Sequence, residues 1–301
     1  MTVDLTKQAT QAAWKTTLGA VMISFSAVWV KLAHVSPTTS AFYRVFLGGI
    51  FLLLILLVRR ESLWRGWCCL WLALTAGLFF ALDLYCWHRS IGYVGPGLAT
   101  ILGNFEVFLV PVAGLALYGE RIGLRFILSV PIAVAGLFMI VGIRFELLSP
   151  ETRIGIAYGL ATAFFYTGFL VALRKLQSGR SAPSATLGLM AVSFATALFL
   201  GLDMLRTGES FAIPNLQSGL SVVALGLMSQ TAGWLLITHS LPRIPAAVAG
   251  LLLLLQPSLS FVWDVLFFDR ATSPTAWVGV ILALSAIYLG ATSERKSPAK
   301  S

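Results

Sequence analysis

The sequence is 301 residues long, 58% hydrophobic and only 11% charged, where soluble chains carry about 25% charged residues; a soluble globular domain of this size is excluded. A mean hydropathy of +0.87, with apolar stretches of about 20 residues, indicates a polytopic helical membrane protein. The net charge of +9 sits at segment ends, where it sets membrane orientation and is no sign of nucleic-acid binding.

The tail over residues 1–13 is polar and mixed in charge. The apolar run after it has no small-residue cleavage site, so it reads as a retained first helix and not a signal peptide. Ten spans are predicted, at 14–33, 40–58, 67–87, 92–118, 122–142, 154–173, 185–203, 218–239, 245–268 and 272–291. Short polar connections separate them, among them Ser36-Pro37, Arg59-Arg60-Glu61, His88-Arg89-Ser90 and Pro242-Arg243. Only 204–217 is long enough to be a loop of its own, and 292–301 forms a second tail. Cys68, Cys69 and Cys86 show no metal-ligand spacing and read as small buried hydrophobes.

The stretch 95–142 recurs at 244–291 under a shift of 149 residues. Pro96 falls on Pro245, Leu102 on Leu251, Glu120-Arg121 on Asp269-Arg270 and Ile132 on Ile281. The same shift carries Gly77 onto Gly226 and Tyr85 onto Trp234. This is an internal duplication, with one five-helix repeat over 14–143 and another over 154–291. Five is odd, so the second copy enters the membrane from the opposite side. Such inverted repeats characterise secondary transporters, whose substrate site lies between the repeats; a duplicated scaffold without transport is the alternative. With the N-terminus in the cytoplasm, fourteen of the 21 Lys and Arg residues fall inside and six outside, with Arg44 left within a span. That asymmetry puts both termini in the cytoplasm.

Several stretches carry a family resemblance: Trp29-Val30-Lys31 with Arg44, Pro111 with Gly119-Glu120-Arg121, Gln230-x-x-Gly233-Trp234, the Leu-rich run 251–255 into Gln256-Pro257, and Asp269-Arg270. In this order, and over a duplication, they resemble the EamA-type members of the drug/metabolite transporter superfamily across nearly the whole chain. The resemblance implies an all-α integral membrane protein with ten transmembrane helices in two inverted five-helix repeats, moving small organic metabolites, often outward. Asp269 stands where these proteins usually have glutamate, and Glu106 where an amide or apolar residue is usual.

Glu106 lies about halfway along the fourth span, where a charge costs roughly 2.5–3.5 kcal/mol and needs a partner, a wet cavity or a proton. It reads as a proton-coupling site or as the counter-charge for a cationic substrate group; a protonated structural glutamate is the alternative. Asn104, two residues earlier, diverges from it by about 200° on a helix, so the two are not expected to face one cavity. Asp83 and Trp87 share a face of the third span, with Asp83 free to serve the site or to pair with Arg89 or Arg44. Thr162 and Tyr166, with Tyr158, form a polar-aromatic stripe on the sixth span; Gln230 and Trp234 do so on the eighth, and Gln256, Ser260, Trp263 or Asp264, and Phe267 on the ninth. Such stripes serve packing as well as binding, but a cavity of ring faces with few hydrogen-bonding groups suits an amphipathic solute. Lys31 and Arg44 are expected to snorkel to the outer interface, and His88 and Arg89 to anchor there.

The sequence holds no phosphate loop, no zinc-type His or Cys pair and no serine with a plausible base, and an ATP-driven pump would need a soluble ATPase domain. No enzyme activity, cofactor or metal is expected. The sequence therefore reads as a secondary transporter in a bacterial inner membrane. It would carry a small amino-acid-like or amphipathic metabolite outward by alternating access. Import of a small nutrient in the same fold is the nearest rival, and an accessory scaffold the next.

Overall fold

The computed structural model describes residues 2–118, 123–141, 148–178, 182–240, 252–253 and 255–291. Among them every regular element is helical: α1 (Thr2–Ser24), α2 (Ser26–Leu32), α3 (Pro37–Val58), α4 (Trp67–Gly103), α5 (Glu106–Tyr118), α6 (Leu124–Val141), α7 (Pro150–Leu176), α8 (Ala185–Thr207), α9 (Leu216–Ala224), a π-helical segment (Leu225–Gly233), α10 (Trp234–Ser240), α11 (Leu255–Phe268) and α12 (Pro274–Ala291). The hinge Gly119-Glu120-Arg121, the connection Pro242-Arg243, the first turns of the ninth predicted span and the tail after residue 291 lie outside the described residues.

Six described stretches are long and apolar enough to cross a bilayer, and Leu124–Ile140, Leu255–Phe268 and Pro274–Leu289 are shorter apolar helices. One of the six, Trp67–Leu117, has 51 residues, over twice the roughly 20 that a bilayer needs, and makes two crossings. The described residues thus place apolar helix within each of the ten predicted spans. Helix starts follow local chemistry. Ser36 and Ser149 each stand before a proline at the first helical position, and each hydroxyl accepts the amide N–H three residues on, from Thr39 and Thr152. Proline there forfeits no helical hydrogen bond and the serine satisfies an orphan donor. Ser184 and Asn215 cap α8 and α9 in the same way.

The joint between the third and fourth spans is displaced from the expected one. Sequence reading puts the turn at His88-Arg89-Ser90, but these residues continue α4, with His88 and Ser90 fully buried. Each finds a partner within the bundle: Ser40 Oγ on His88 Nδ1 at 2.7 Å, and the Gly155 carbonyl for Ser90 Oγ at 2.8 Å. Polar groups satisfied by neighbouring helices have no need of the surface. The chain turns instead at Gly95, whose φ of 82° and ψ of 163° suit glycine. Pro96 then starts the second half of α4. Of the cysteines, Cys86 is buried and Cys68 is exposed.

The pairing of helices carries the duplication into space. Matching the repeats sets α3 against α8 and α6 against α12, and each of these pairs is in extensive contact. Likewise α7 packs along α4, while its counterpart α1 packs on the π segment and α10, which correspond to the first half of α4. Contacts that map onto one another when the repeats are exchanged are the mark of a pseudo-two-fold axis. At the α6–α12 pair the backbones nearly touch: a Cβ on Gly136 would lie 2.6 Å from Ala283 N, and one on Gly279 2.6 Å from Gly136 O. Small residues let helices approach where lipid supplies no hydrophobic drive.

Candidate substrate cavity

A cavity of about 120 Å³ lies where α1, α2, α3, α4, α5, α7, α10 and α11 converge. Its wall draws on both repeats. Asp83, Trp87, Asn104 and Glu106 come from the first, and Thr162, Tyr166, Trp234 and Gln256 from the second. Arg44, Phe80, Thr100 and Ser260, with Ser24 and Ser26, complete the polar and aromatic surface. Among the described residues no three His, Cys, Asp or Glu side chains gather as a metal site requires.

Asn104 and Glu106 share this wall, against the helical-wheel expectation. That expectation assumed one unbroken helix, but α4 ends at Gly103, the Asn104 N–H caps back on Thr100 O at 3.1 Å, and α5 starts afresh at Glu106. The break resets the rotation between the two side chains. Asn104 Nδ2 donates to Thr100 O at 2.8 Å, satisfying a carbonyl near the break. Among the described residues, Glu106 Oε2 is buried without a hydrogen-bond partner, as is the indole Nε1 of Trp234. A buried acceptor and a buried donor thus stand unmet in one chamber, an arrangement that costs stability unless something else fills them.

Arg44 is not at the interface. It is 6% exposed, lines the cavity, and lies over the rings of Trp87 at 5.4 Å and Phe80 at 6.0 Å. Its Nε donates to Gln230 Oε1 at 3.4 Å, and Gln230 Nε2 donates to Ser193 Oγ at 3.0 Å. Gln230 itself is fully buried and stands behind the wall, outside the cavity lining. Lys31 does stay exposed and rests on the Phe268 ring at 4.1 Å.

The stripes on α7 and α11 divide between cavity and scaffold. Thr162 and Tyr166 face the chamber, while Tyr158 stacks on Tyr93 with centroids 6.2 Å apart. Gln256 and Ser260 line it too, and Ser260 Oγ meets Thr100 Oγ1 at 3.0 Å. Trp263 instead stacks on Phe25 at 4.6 Å and donates to Ser24 Oγ at 3.0 Å. Asp264, 2% exposed, accepts from Gly97 N at 3.1 Å and from Arg270 Nη1 at 3.0 Å.

Sequence reasoning missed a second polar cluster. Glu209, in the connection after α8, accepts from Ser36 Oγ, from Thr38 Oγ1 at 2.9 Å and from Arg89 Nη2 at 3.5 Å. Beside it Thr39 Oγ1 donates to Ser210 O at 2.9 Å and Tyr43 to Phe211 O at 2.7 Å. Arg89 therefore pairs with Glu209 and not with Asp83. The length of the loop 204–217 was the one signal that it had work to do.

Comparison with known proteins agrees with this architecture. A search of curated proteins finds an uncharacterized transporter, YwfM of Bacillus subtilis (strain 168), 24% identical over 270 residues and covering 88% of each chain. A solved crystal structure shares the fold with a TM-score of 0.66 at 20% identity, over 93% of this chain and 96% of that one. The EamA-like transporter family matches twice, over residues 12–142 and again over 153–292. With nearly the whole chain matched in two copies, the protein belongs to the EamA-like transporter family of the drug/metabolite transporter superfamily, and is a multi-pass membrane protein that moves small molecules across a lipid bilayer.

Proposed function

We propose that the protein is a secondary transporter that moves a small amino-acid-like, amphipathic solute outward across a bacterial inner membrane, by alternating access between its two repeats. The observation that carries this reading is the composition of the chamber. One cation (Arg44), two carboxylates (Asp83 and Glu106) and the ring faces of Trp87, Tyr166 and Trp234 border a single space drawn from both repeats. Charges of both signs beside aromatic surface complement a solute with separated positive and negative groups and an apolar body. The cavity of about 120 Å³ has room for a solute of a few heavy atoms in place of several waters, each needing roughly 10–15 Å³ by the same measure.

Glu106 is the residue assigned to proton coupling, because among the described residues it is the chamber acid whose carboxylate has a buried oxygen without a hydrogen-bond partner. The outward direction rests on the family resemblance. The distribution of Lys and Arg supports both termini in the cytoplasm. The decisive experiment is counterflow into proteoliposomes with labelled amino acids, simple amines and simple carboxylic acids in parallel. Uptake of amino acids above the other two classes is expected. Equal uptake of all three, or of none, would remove the zwitterion reading.

A further inference from the structure

We infer that Gln230 is a positioning residue that aims Arg44 into the chamber as the anchor for a carboxylate on the transported solute. The inference rests on the zwitterion reading above and assigns the anionic end of that solute.

Its basis is the way the guanidinium is held. Arg44 spends Nε on Gln230 Oε1, and this is the hydrogen bond its guanidinium makes among the described residues. The terminal nitrogens remain for the chamber that Arg44 lines. They are a planar fork of donors, matched to the two oxygens of a carboxylate. Trp87 and Phe80 flank the cation, which limits its swing and leaves the chamber as the open side.

Gln230 cannot readily turn away. Its amide nitrogen is committed to Ser193 Oγ on α8 at 3.0 Å; a flipped amide would set an NH2 group against the Arg44 N–H, donor against donor. Packing closes the other routes. A Cβ at Gly48 on α3 would overlap the Gln230 side chain, and one at Gly226 would lie 2.9 Å from Leu47 Cβ, so the two backbones meet at their glycines. Thr231 Oγ1 ties the same place, donating to Gly48 O at 3.3 Å and to Gly226 O at 3.0 Å. All of this occurs in the π-helical segment, whose wider turn rotates Gln230 relative to an α-helical path; such segments concentrate at functional sites. The relay of Ser193, Gln230 and Arg44 fixes the direction of the cation as well as its depth, and Asp83 lies on the same wall. An arriving zwitterion sets its carboxylate on Arg44 and its ammonium toward Asp83, both of which line the chamber, so that each charge meets an opposite one. No net charge is then stranded in the membrane.

The test uses full-length protein in proteoliposomes, with counterflow of a mixture of the standard labelled L-amino acids competed by unlabelled amino acids or by their carboxamides. Wild type should be inhibited by the acids and not by the amides. Gln230→Met keeps the bulk and removes the acceptor. It should raise the half-saturating concentration about tenfold, the loss expected for one charge-assisted contact, and erode the acid-over-amide preference while the maximal rate per folded molecule holds. Ser193→Ala leaves Gln230 in place with its amide free and should give a smaller shift in the same direction. A purely structural role would lower folded yield with half-saturation and preference unchanged, and that result overturns the inference. Thermal protection by sodium butyrate against butyramide reads the anion site without transport. If wild type carries no amino acid yet butyrate protects it, and Gln230→Met abolishes that protection, the zwitterion reading falls and the Arg44 anchor stands. If butyrate protects neither protein, the anchor falls as well.

Discussion

Arg270 joins two elements through a single nitrogen: its Nη1 donates to Asp264 Oδ2 at 3.0 Å and to the carbonyl oxygen of Val94 at 2.7 Å. The same Asp264 oxygen accepts the N–H of Gly97. Val94 and Gly97 flank the break of α4 at Gly95, where backbone groups lose their helical partners. An ion pair from the second repeat therefore satisfies the open backbone of the first.

Removing one member of that pair leaves the other charge without its partner. Breaking a buried pair costs roughly 3–5 kcal/mol, and Arg270 keeps 21% of its side chain exposed, so Asp264→Ala should lose about 3 kcal/mol, at the low end of that range. Thermal unfolding in detergent measures it. A variant as stable as wild type would mean that the break holds without the clasp.

The Glu209 cluster ties the start of α3 and the side of α4 to the loop after α8, first repeat to second, with Thr38 Oγ1 donating to Glu209 Oε1 at 2.9 Å. If the repeats part at this end during each cycle, a covalent tie must stop transport. Thr38→Cys with Glu209→Cys should cross-link under mild oxidant, arrest counterflow and recover on reduction. A cross-linked protein that still transports at the wild-type rate would show that this end never opens.

Tyr166 and Trp234 line the chamber, and Trp234 also meets Phe169 edge-on at 6.2 Å. Replacing either with Ala should weaken transport several-fold while folded yield is retained. Loss of yield with unchanged transport per folded molecule would assign both rings to packing.

Glu106→Gln keeps the shape and hydrogen bonding of the side chain and removes its titration. Accumulation driven by a pH gradient should vanish while substrate exchange persists in part. A role as counter-charge for an ammonium would instead lose both. Wild-type behaviour from about pH 5.5 to 8, a span that brackets perturbed carboxylates, would end the functional claim for Glu106.

Arg121 and Asp269 lie in the matching hinges Glu120-Arg121 and Asp269-Arg270 of the two repeats, so inverted copies put them on opposite faces of the membrane. Single cysteines at the two positions should react with an impermeant thiol reagent from opposite sides. Labelling of both from one side would contradict the orientation proposed for the chain.

The spans were legible because apolar runs of bilayer length have few other uses. Their joints were not, and the reason is specific. His88, Arg89 and Ser90 look like a turn on paper, but Ser40, Glu209 and Gly155 meet them inside the bundle, and no local pattern announces partners that distant. Arg44 was misplaced for the same reason: its depth is sustained by Gln230, 186 residues away. Asn104 and Glu106 failed differently, since the wheel presumed a helix that stops between them. The chamber's residue types were readable as costly to bury; which of them front it and which stand behind was a matter of tertiary geometry alone.

The close approach of Gly136 and Gly279 has a consequence for motion. Alternating access in a duplicated protein amounts to the two halves trading conformations. Whatever lies on the axis relating them is carried onto itself by that trade, so its shape need not change between the two end states. Helices α6 and α12, each the other's image, meet backbone to backbone, and in the alternating-access cycle proposed above they are the axle about which the halves would turn. A bulky side chain at Gly136 should therefore slow the forward and return half-cycles alike, whereas damage at the Glu209 or Asp264 clasp biases one of them.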